Sequence, residues 1–313
     1  LISAAPVLIV GDRADPHVEA IVDLLPAQGT VVLDAVSLSS VVQWLDPINV
    51  RLVDVSGAAV SLGADRAARG WIRRLAPAGW DLGVTLGSHG AARLSSRLAL
   101  LAAILREPSL TWLTPVDPLF AAENKVVQYR TAMAIGIRVP ATAVSGAPGD
   151  LAADLGDPFI LKPLGPGHFQ EPDGSSQVIY VKEVRATDLA HIDLLDAPFL
   201  AQTVIAADVH LRVVTVGSRA WTAELDAAGL PVDWREHESA HHTFTATERW
   251  SQVEKAAVRL ATILGVGYSS QDWLVDEDGP AFVDLNPGGQ WLFLPEPIAT
   301  SVAQALADWL ADR

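Results

Sequence analysis

QDWLVDEDGPAFVDLNPGGQW, residues 271–291, decides how the rest of the chain is read. Asp272 lies in a short apolar run, Asp276 to Gly279 has the composition of a turn, and Ala281 to Leu285 resumes a strand-like alternation. The stretch therefore predicts a β-hairpin that brings Asp272 close to Asp284 and Asn286. Successive side chains in a strand alternate faces, so Asp284 and Asn286 point the same way and can share one ion. Two carboxylates and an amide carbonyl form a hard, all-oxygen set. Such a partial set suits Mg²⁺, which keeps waters and takes its remaining ligands from substrate phosphates. Asp276, Glu277 and Asp278 read as an ordinary acidic turn.

The surrounding chain supplies the groups such an ion would work with. Asn124-Lys125 opens a helix predicted over 125–135, and a lysine in the first turn opposes the helix dipole unless an anion lies nearby. Gly136 ends that helix before an extended Val139-Pro140. In PFILKPLG (158–165) Lys162 stands inside an apolar strand and needs an anionic partner. Glycines 165, 167 and 174 follow, and a glycine-rich backbone can close over phosphates. Arg212, in HLRVVTV, is a second charge inside a strand. Two such charges in separate strands, each upstream of a carboxylate site, suggest a bound polyphosphate.

Other segments read more plainly. PVLIVGD (6–12) is a buried parallel strand, followed by a helix from Asp15 to Leu25; TVVLDA (30–35) and VRLVDV (50–55) continue a βαβ-type parallel sheet. Gly11 lacks the further glycines of a dinucleotide-binding turn. Arg66, Arg69, Arg73 and Arg74 are read as a solvated surface. Residues 88–106 form a long helix with Leu94, Leu98, Leu101 and Leu105 on one face. His237, His241 and His242 lie in a polar stretch read as a solvated loop rather than a zinc site. Helices end the chain at 250–264 and 301–309, both expected on one lobe.

Composition sets outer limits. With 313 residues, half of them hydrophobic, the chain has room for two or three lobes. A net charge of −15 argues against a nucleic-acid partner and against an anionic membrane surface. The absence of cysteine excludes disulfides, thiolate metal sites and a cysteine nucleophile. The apolar run at Val7 to Val10 is too short for a membrane span and follows no basic segment, so a cytoplasmic location is expected.

These motifs, in this order, resemble the ATP-grasp carboxylate–amine ligases: ENK with a following Gln and G-x-x-V-P-A-T, then ILKPLG, HLRVVTVG, and QDW through DLNPGGQW. The resemblance covers about residues 115 to 313. DWR at 233–235, the N-P-x-G-Q-W ending and the A-E-N-K-x-x-Q start are most similar to the graspetide (microviridin-type) maturases, which join Asp or Glu side chains of a precursor peptide to Ser, Thr or Lys. The resemblance implies a three-lobed α/β ATP-grasp fold: an N-terminal pre-ATP-grasp domain (1–115), a central lobe (116–200) and a C-terminal lobe with the metal site (201–313). It implies ATP and Mg²⁺, with Lys125, Lys162, Gly165 and Gly167 on the phosphates and Gln202 with the backbone near Val204 at the adenine. Arg212 would face the γ-phosphate and the acyl phosphate, Arg235 the substrate carboxylate, and Asp272, Asp284 and Asn286 the metal. Asp284 replaces the glutamate of many relatives, and His210 an aspartate. Ligation to a small molecule or protein terminus, and ATP binding without turnover, stay open as alternatives. A homodimer is admitted as an assembly.

Overall fold

Four consecutive buried side chains make β1 (Val7–Val10) a strand covered on both faces, as in parallel sheets flanked by helices. This computed structural model describes residues 6–26, 29–34, 42–45, 49–53, 59–63, 68–74, 84–85, 87–146, 151–165, 168–170, 175–191, 198–237 and 239–312. Helix α1 (Pro16–Val22) begins on a proline, whose missing N–H costs nothing in a first turn, and the Asp15 carboxylate caps it by accepting from His17 N at 2.9 Å. β2 (Thr30–Leu33) then runs parallel to β1.

β3 (Val42–Leu45), β4 (Asn49–Val53) and β5 (Ala59–Gly63) form a separate antiparallel sheet with β4 in its centre. This corrects the reading of 50–55 as a further parallel strand: apolar content marks a strand without naming its partner. The second place beside β1 belongs to β6 (Ala68–Ile72), which lies within the segment read as a solvated arginine surface. That reading also changes. Arg73 is 2% exposed, and Arg69 lies over the Trp309 ring, 4.9 Å from its centroid; Arg74 is half-exposed, and Arg66 lies outside the described residues. Helix α2 (His89–Leu105) is capped by Ser88 and buries Leu101 and Leu105, while Leu98 remains 44% exposed. β7 (Leu110–Trp112) completes the parallel order β2-β1-β6-β7.

Helices α3 (Val116–Glu123) and α4 (Lys125–Ala134) share Asn124, whose Oδ1 caps α4 by accepting from Val126 N and Val127 N at 3.0 and 3.3 Å. Gly136 then takes the left-handed conformation at φ 79°, the expected stop. β8 (Thr142–Ser145), the short α5 (Ala152–Leu155), β9 (Phe159–Pro163), β10 (His168–Gln170), β11 (Ser176–Val178), β12 (Lys182–Val184) and β13 (Phe199–Thr203) come next. β8, β9, β12 and β13 form an antiparallel sheet in the order β12-β9-β13-β8, and β10 pairs with β11.

The last third comprises β14 (Val209–Val216), β15 (Arg219–Asp226), β16 (Thr245–Thr247), α6 (Ser251–Leu264), β17 (Tyr268–Asp276), β18 (Gly279–Asn286) and α7 (Glu296–Leu310). Its sheet is antiparallel, in the order β16-β15-β14-β17-β18. Alternation along β14 sends Leu211 and Val213 into the core with α6, and Val214 and Val216 into the core with α7. Both helices therefore pack on this one sheet, covering its opposite faces. The core around α7 also takes in Val7, Ile9, Val18 and Ile21 from the N-terminal sheet and α1. A helical pattern identifies a buried face but not what covers it. Among the described residues no helix is long and apolar enough to cross a membrane.

Candidate active site

The predicted hairpin forms, with Gly279 at φ 93° closing the turn after Asp278. Its register sets Asp272 opposite Asp284 and Ser270 opposite Asn286, with a bulge just after Asp272. On the other side of β17, Arg212 of β14 stands beside Asp272. One row across three strands thus reads Arg212, Asp272, Asp284. Arg212 lies 3.1 Å from Asp272 Oδ1 and donates to Ser270 Oγ at 3.2 Å. Trp234 and Phe293 support its guanidinium from 5.8 and 5.6 Å. The acidic turn has a partner of its own, since Arg138 forks onto Asp276 at 2.7 and 2.8 Å.

Helix α4 is fastened to β18 by one face. Lys125, Gln128 and Tyr129 stand at i, i+3 and i+4 and so point together. Lys125 Nζ donates to Asp284 Oδ1 at 2.5 Å, the anion that a lysine in a first turn called for. Gln128 pairs with the backbone of Leu285, donating to its carbonyl at 2.7 Å and accepting from its N–H at 3.0 Å. Tyr129 OH donates to Val283 O at 2.6 Å. The helix therefore holds the strand on both sides of Asp284. Sequence reasoning missed Tyr129, although its place four positions after Lys125 was a usable signal.

Lys162, buried in β9, donates to Tyr129 OH at 2.6 Å and to Val283 O at 3.2 Å. These are neutral oxygens, not the anion expected. Burial, with Lys125 adding repulsion, brings its ammonium down to about 7, against the pull of Asp284 and Asp272. An arriving phosphate would favour the charged form. Burial also raises the Asp272 carboxyl, with Arg212 opposing. Burial would raise Asp284 too, but Lys125 and Lys162 outweigh it and hold that carboxyl below its ordinary value.

These groups surround a cavity of about 500 Å³ lined by Lys125, Lys162, Gly165, Gln202, Arg235, Asp272, Asp284 and Asn286. Gln202 is buried and donates to Thr142 Oγ1 at 2.8 Å. At the expected hinge it is Thr203 and Ile205, on either side of Val204, whose residues reach the cavity. Gly167 lies outside the described residues. Arg235 forks onto the buried Asp233, Nε to Oδ1 at 2.7 Å and a terminal nitrogen to Oδ2 at 2.6 Å; this pairing raises its pKa. Asp233 Oδ2 also accepts from Val181 N at 3.2 Å. His210 lines the cavity, and burial lowers its pKa while Asp233 opposes.

The donor set fits a magnesium nucleotide. Among the described residues no group of three or more His, Cys, Asp or Glu is arranged to hold a metal. Two carboxylates and an amide, ringed by cations, instead leave coordination places for phosphate oxygens.

Solved structures share this fold over nearly the whole chain. The macrocyclase MdnC of Microcystis aeruginosa, bound with precursor peptide MdnA, superposes with a TM-score of 0.80, at 21% identity over 98% of this chain and 99% of that one. A RiPP-associated ATP-grasp ligase of Chryseobacterium gregarium, in complex with ADP and a leader and core peptide, gives 0.82 at 21% identity over 98% and 97%. This chain has the ATP-grasp fold. The ATP-grasp ligase PsnB complexed with minimal precursor, Mg and ADP gives 0.71 at 19% identity over 98% of each chain. No protein-family model and no curated protein matches the sequence. Within the ATP-grasp fold of this chain, the cavity draws Ile160, Lys162 and Gln202 from one antiparallel sheet and Leu211, Asp272 and Asp284 from the other.

Proposed function

We propose that this protein is a cytoplasmic ATP-dependent ligase that activates a side-chain carboxylate of a precursor peptide and joins it to a hydroxyl or amine, making an ester or amide cross-link. The observation that carries the reading is the convergence of Lys125, Lys162, Arg235, Asp272, Asp284 and Asn286 on one cavity, with Arg212 beside Asp272. A carboxylate at neutral pH is a poor electrophile. Transfer of the γ-phosphoryl group of ATP to it yields an acyl phosphate and ADP; attack by a hydroxyl or amine then forms the new bond and releases phosphate and a proton. Such chemistry rests on positioning and charge neutralisation, with no covalent protein nucleophile. Lys125 and Lys162 bind phosphate oxygens, Gln202 and the 203–205 backbone hold the base, and Arg212 faces the transferring group. Arg235, with Nε and one terminal nitrogen held by Asp233, turns the outer edge of its two terminal nitrogens to the substrate carboxylate in a second fork. Mg²⁺, held by Asp272, Asp284 and Asn286, supplies Lewis-acid charge neutralisation when bound. MdnC with its precursor peptide, and PsnB with minimal precursor, Mg and ADP, support a peptide as the bearer of the carboxylate.

The test is incubation of the purified protein with ATP, Mg²⁺ and a short Thr- and Glu- or Asp-rich peptide encoded beside its gene. The expected result is a mass loss of one water per bond, with one ADP formed for each. ADP formation with amino acids but never with peptides would move the reading to a small-molecule ligase. No ADP with any carboxylate acceptor would leave only nucleotide binding.

A further inference from the structure

The turn that follows Asn286 is held from two directions. Within the hairpin, Gly288 N donates to Asn286 Oδ1 at 2.9 Å, and Tyr268 OH donates to Gly289 O at 2.8 Å. The other holds come from the residue that follows β6 and from α1, 215 and 274 positions earlier in the chain. His17 Nε2 accepts from Trp291 N at 3.2 Å and from Leu292 N at 3.4 Å, and Arg73 donates to the carbonyl of Gly288. Asp15 organises both: its Oδ1 lies 2.9 Å from His17 Nδ1 and its Oδ2 lies 3.1 Å from Arg73 Nε. A proton on Nδ1 directed at this carboxylate leaves the Nε2 lone pair for the two backbone N–H groups. All three side chains are buried. The glycines belong to the same device. A Cβ on Gly288 would come within 2.8 Å of the Arg73 carbonyl oxygen, so the turn packs against the backbone that follows β6 at a distance that leaves no room for a side chain.

None of the roles assigned above uses Asp15, His17 or Arg73. We infer that they are positioning residues for the proposed metal site, clamping the Asn286 turn from the start of α1 and the end of β6 and so setting metal affinity from a distance. The inference rests on the ligase reading in that Asn286 is there a metal ligand. His17→Phe keeps a ring against Trp291, whose centroid lies 4.4 Å away, but removes the acceptor. His17→Gln restores an acceptor. Arg73→Lys keeps the charge toward Asp15 but shortens the reach to Gly288.

Mn²⁺, as a paramagnetic stand-in for Mg²⁺, is titrated by electron paramagnetic resonance into full-length protein saturated with ADP, and backbone hydrogen exchange is followed over 286–292. His17→Phe should weaken Mn²⁺ binding by about tenfold, the low end for loss of an outer-shell support. It should speed exchange at Trp291 and Leu292 and leave metal-free ADP affinity unchanged. His17→Gln should recover part of the Mn²⁺ affinity. Should His17→Phe fail to fold, His17→Gln and Arg73→Lys carry the comparison through smaller losses of the same sign. Lower thermal stability or faster exchange with unchanged Mn²⁺ affinity would reduce the cluster to a structural one and overturn the inference alone. Wild-type protein that binds no Mn²⁺ with ADP would overturn the metal assignment as well.

Discussion

Asp284 sits between two ammonium groups and a second carboxylate, and its charge serves whatever occupies the cavity more than it serves the fold. Asp284→Asn is accordingly expected to keep a near wild-type melting temperature while Mg²⁺-dependent ADP formation falls at least about a hundredfold, ~2.7 kcal/mol in the barrier. Near-normal ADP formation at saturating substrate would remove Asp284 from the metal site. Arg235 differs, because its fork rests on Asp233, which is only 5% exposed. Arg235→Ala should cut product formation by about 2–4 kcal/mol with ATP affinity retained, and it should also destabilise the protein by roughly 1–3 kcal/mol by stranding that carboxylate. Adding Asp233→Asn should recover stability but not turnover, and Arg235→Lys should recover turnover only in part, since an ammonium lacks the fork. Recovery of turnover in the double variant would show that Arg235 acts only through the fold. The hairpin carboxylates were legible in sequence because a period of two fixes which side chains share a face. Arg73 was not, because Asp15 and Gly288, which bury it, are remote in the chain and no local pattern points to them.

At the scale of elements, the junction of α1 with the turn after β18 gives stability a pH dependence. Burial, with Arg73 and Arg74 adding repulsion, lowers the His17 pKa below its ordinary 6.5, although Asp15 opposes. The unfolded chain therefore takes up a proton that the folded one refuses. Stability is full above the unfolded value and declines as pH falls through 6.5 toward the folded pKa. Burial would raise Asp15, but the His17 backbone N–H and Arg73 hold it below its ordinary value of 3.8, so its own contribution is lost only in stronger acid. Denaturant titrations at about pH 7.5 and about pH 5.5, on either side of an ordinary histidine, should show a smaller loss for His17→Gln than for wild type. Equal losses would assign the effect to His210 and His241, which burial also lowers. Periodicity and caps located α1, α2 and α4 within a few residues. They could not show that residues 50–55 join an antiparallel sheet, because an apolar run carries no record of its partner, and the arginines of 69–74 hid a strand because charge content was weighed above the short buried run Gly70-Trp71-Ile72 between them.

Helix α7 makes the N-terminal sheet and the last sheet parts of one core. Leu306 and Leu310 are fully buried in a cluster that holds Val7, Ile9 and Val18 from one side and Val214, Val216 and Trp291 from the other. Arg69 adds a second tie, donating to the Trp309 carbonyl at 2.5 Å beneath the same helix. The sheet that carries Lys162 and Gln202 stands on a smaller cluster of its own, built around Leu155, Phe159, Leu161, Val184 and Ala201. Shared apolar burial couples elements in unfolding, whereas segments with few buried contacts open separately. Leu306→Ala should therefore destabilise by about 2–5 kcal/mol, the usual range for a buried leucine that leaves a cavity, and the loss should reach both faces of α7 at once. Native-state hydrogen exchange is the measurement. Protection should fall together in β1 and β14 while β9 and β13 change little. A loss confined to β14 would mean that the N-terminal sheet folds on its own. In that case α7 is a surface contact between two units, and the clamp on the Asn286 turn would have to be maintained by hydrogen bonds without a common core behind them.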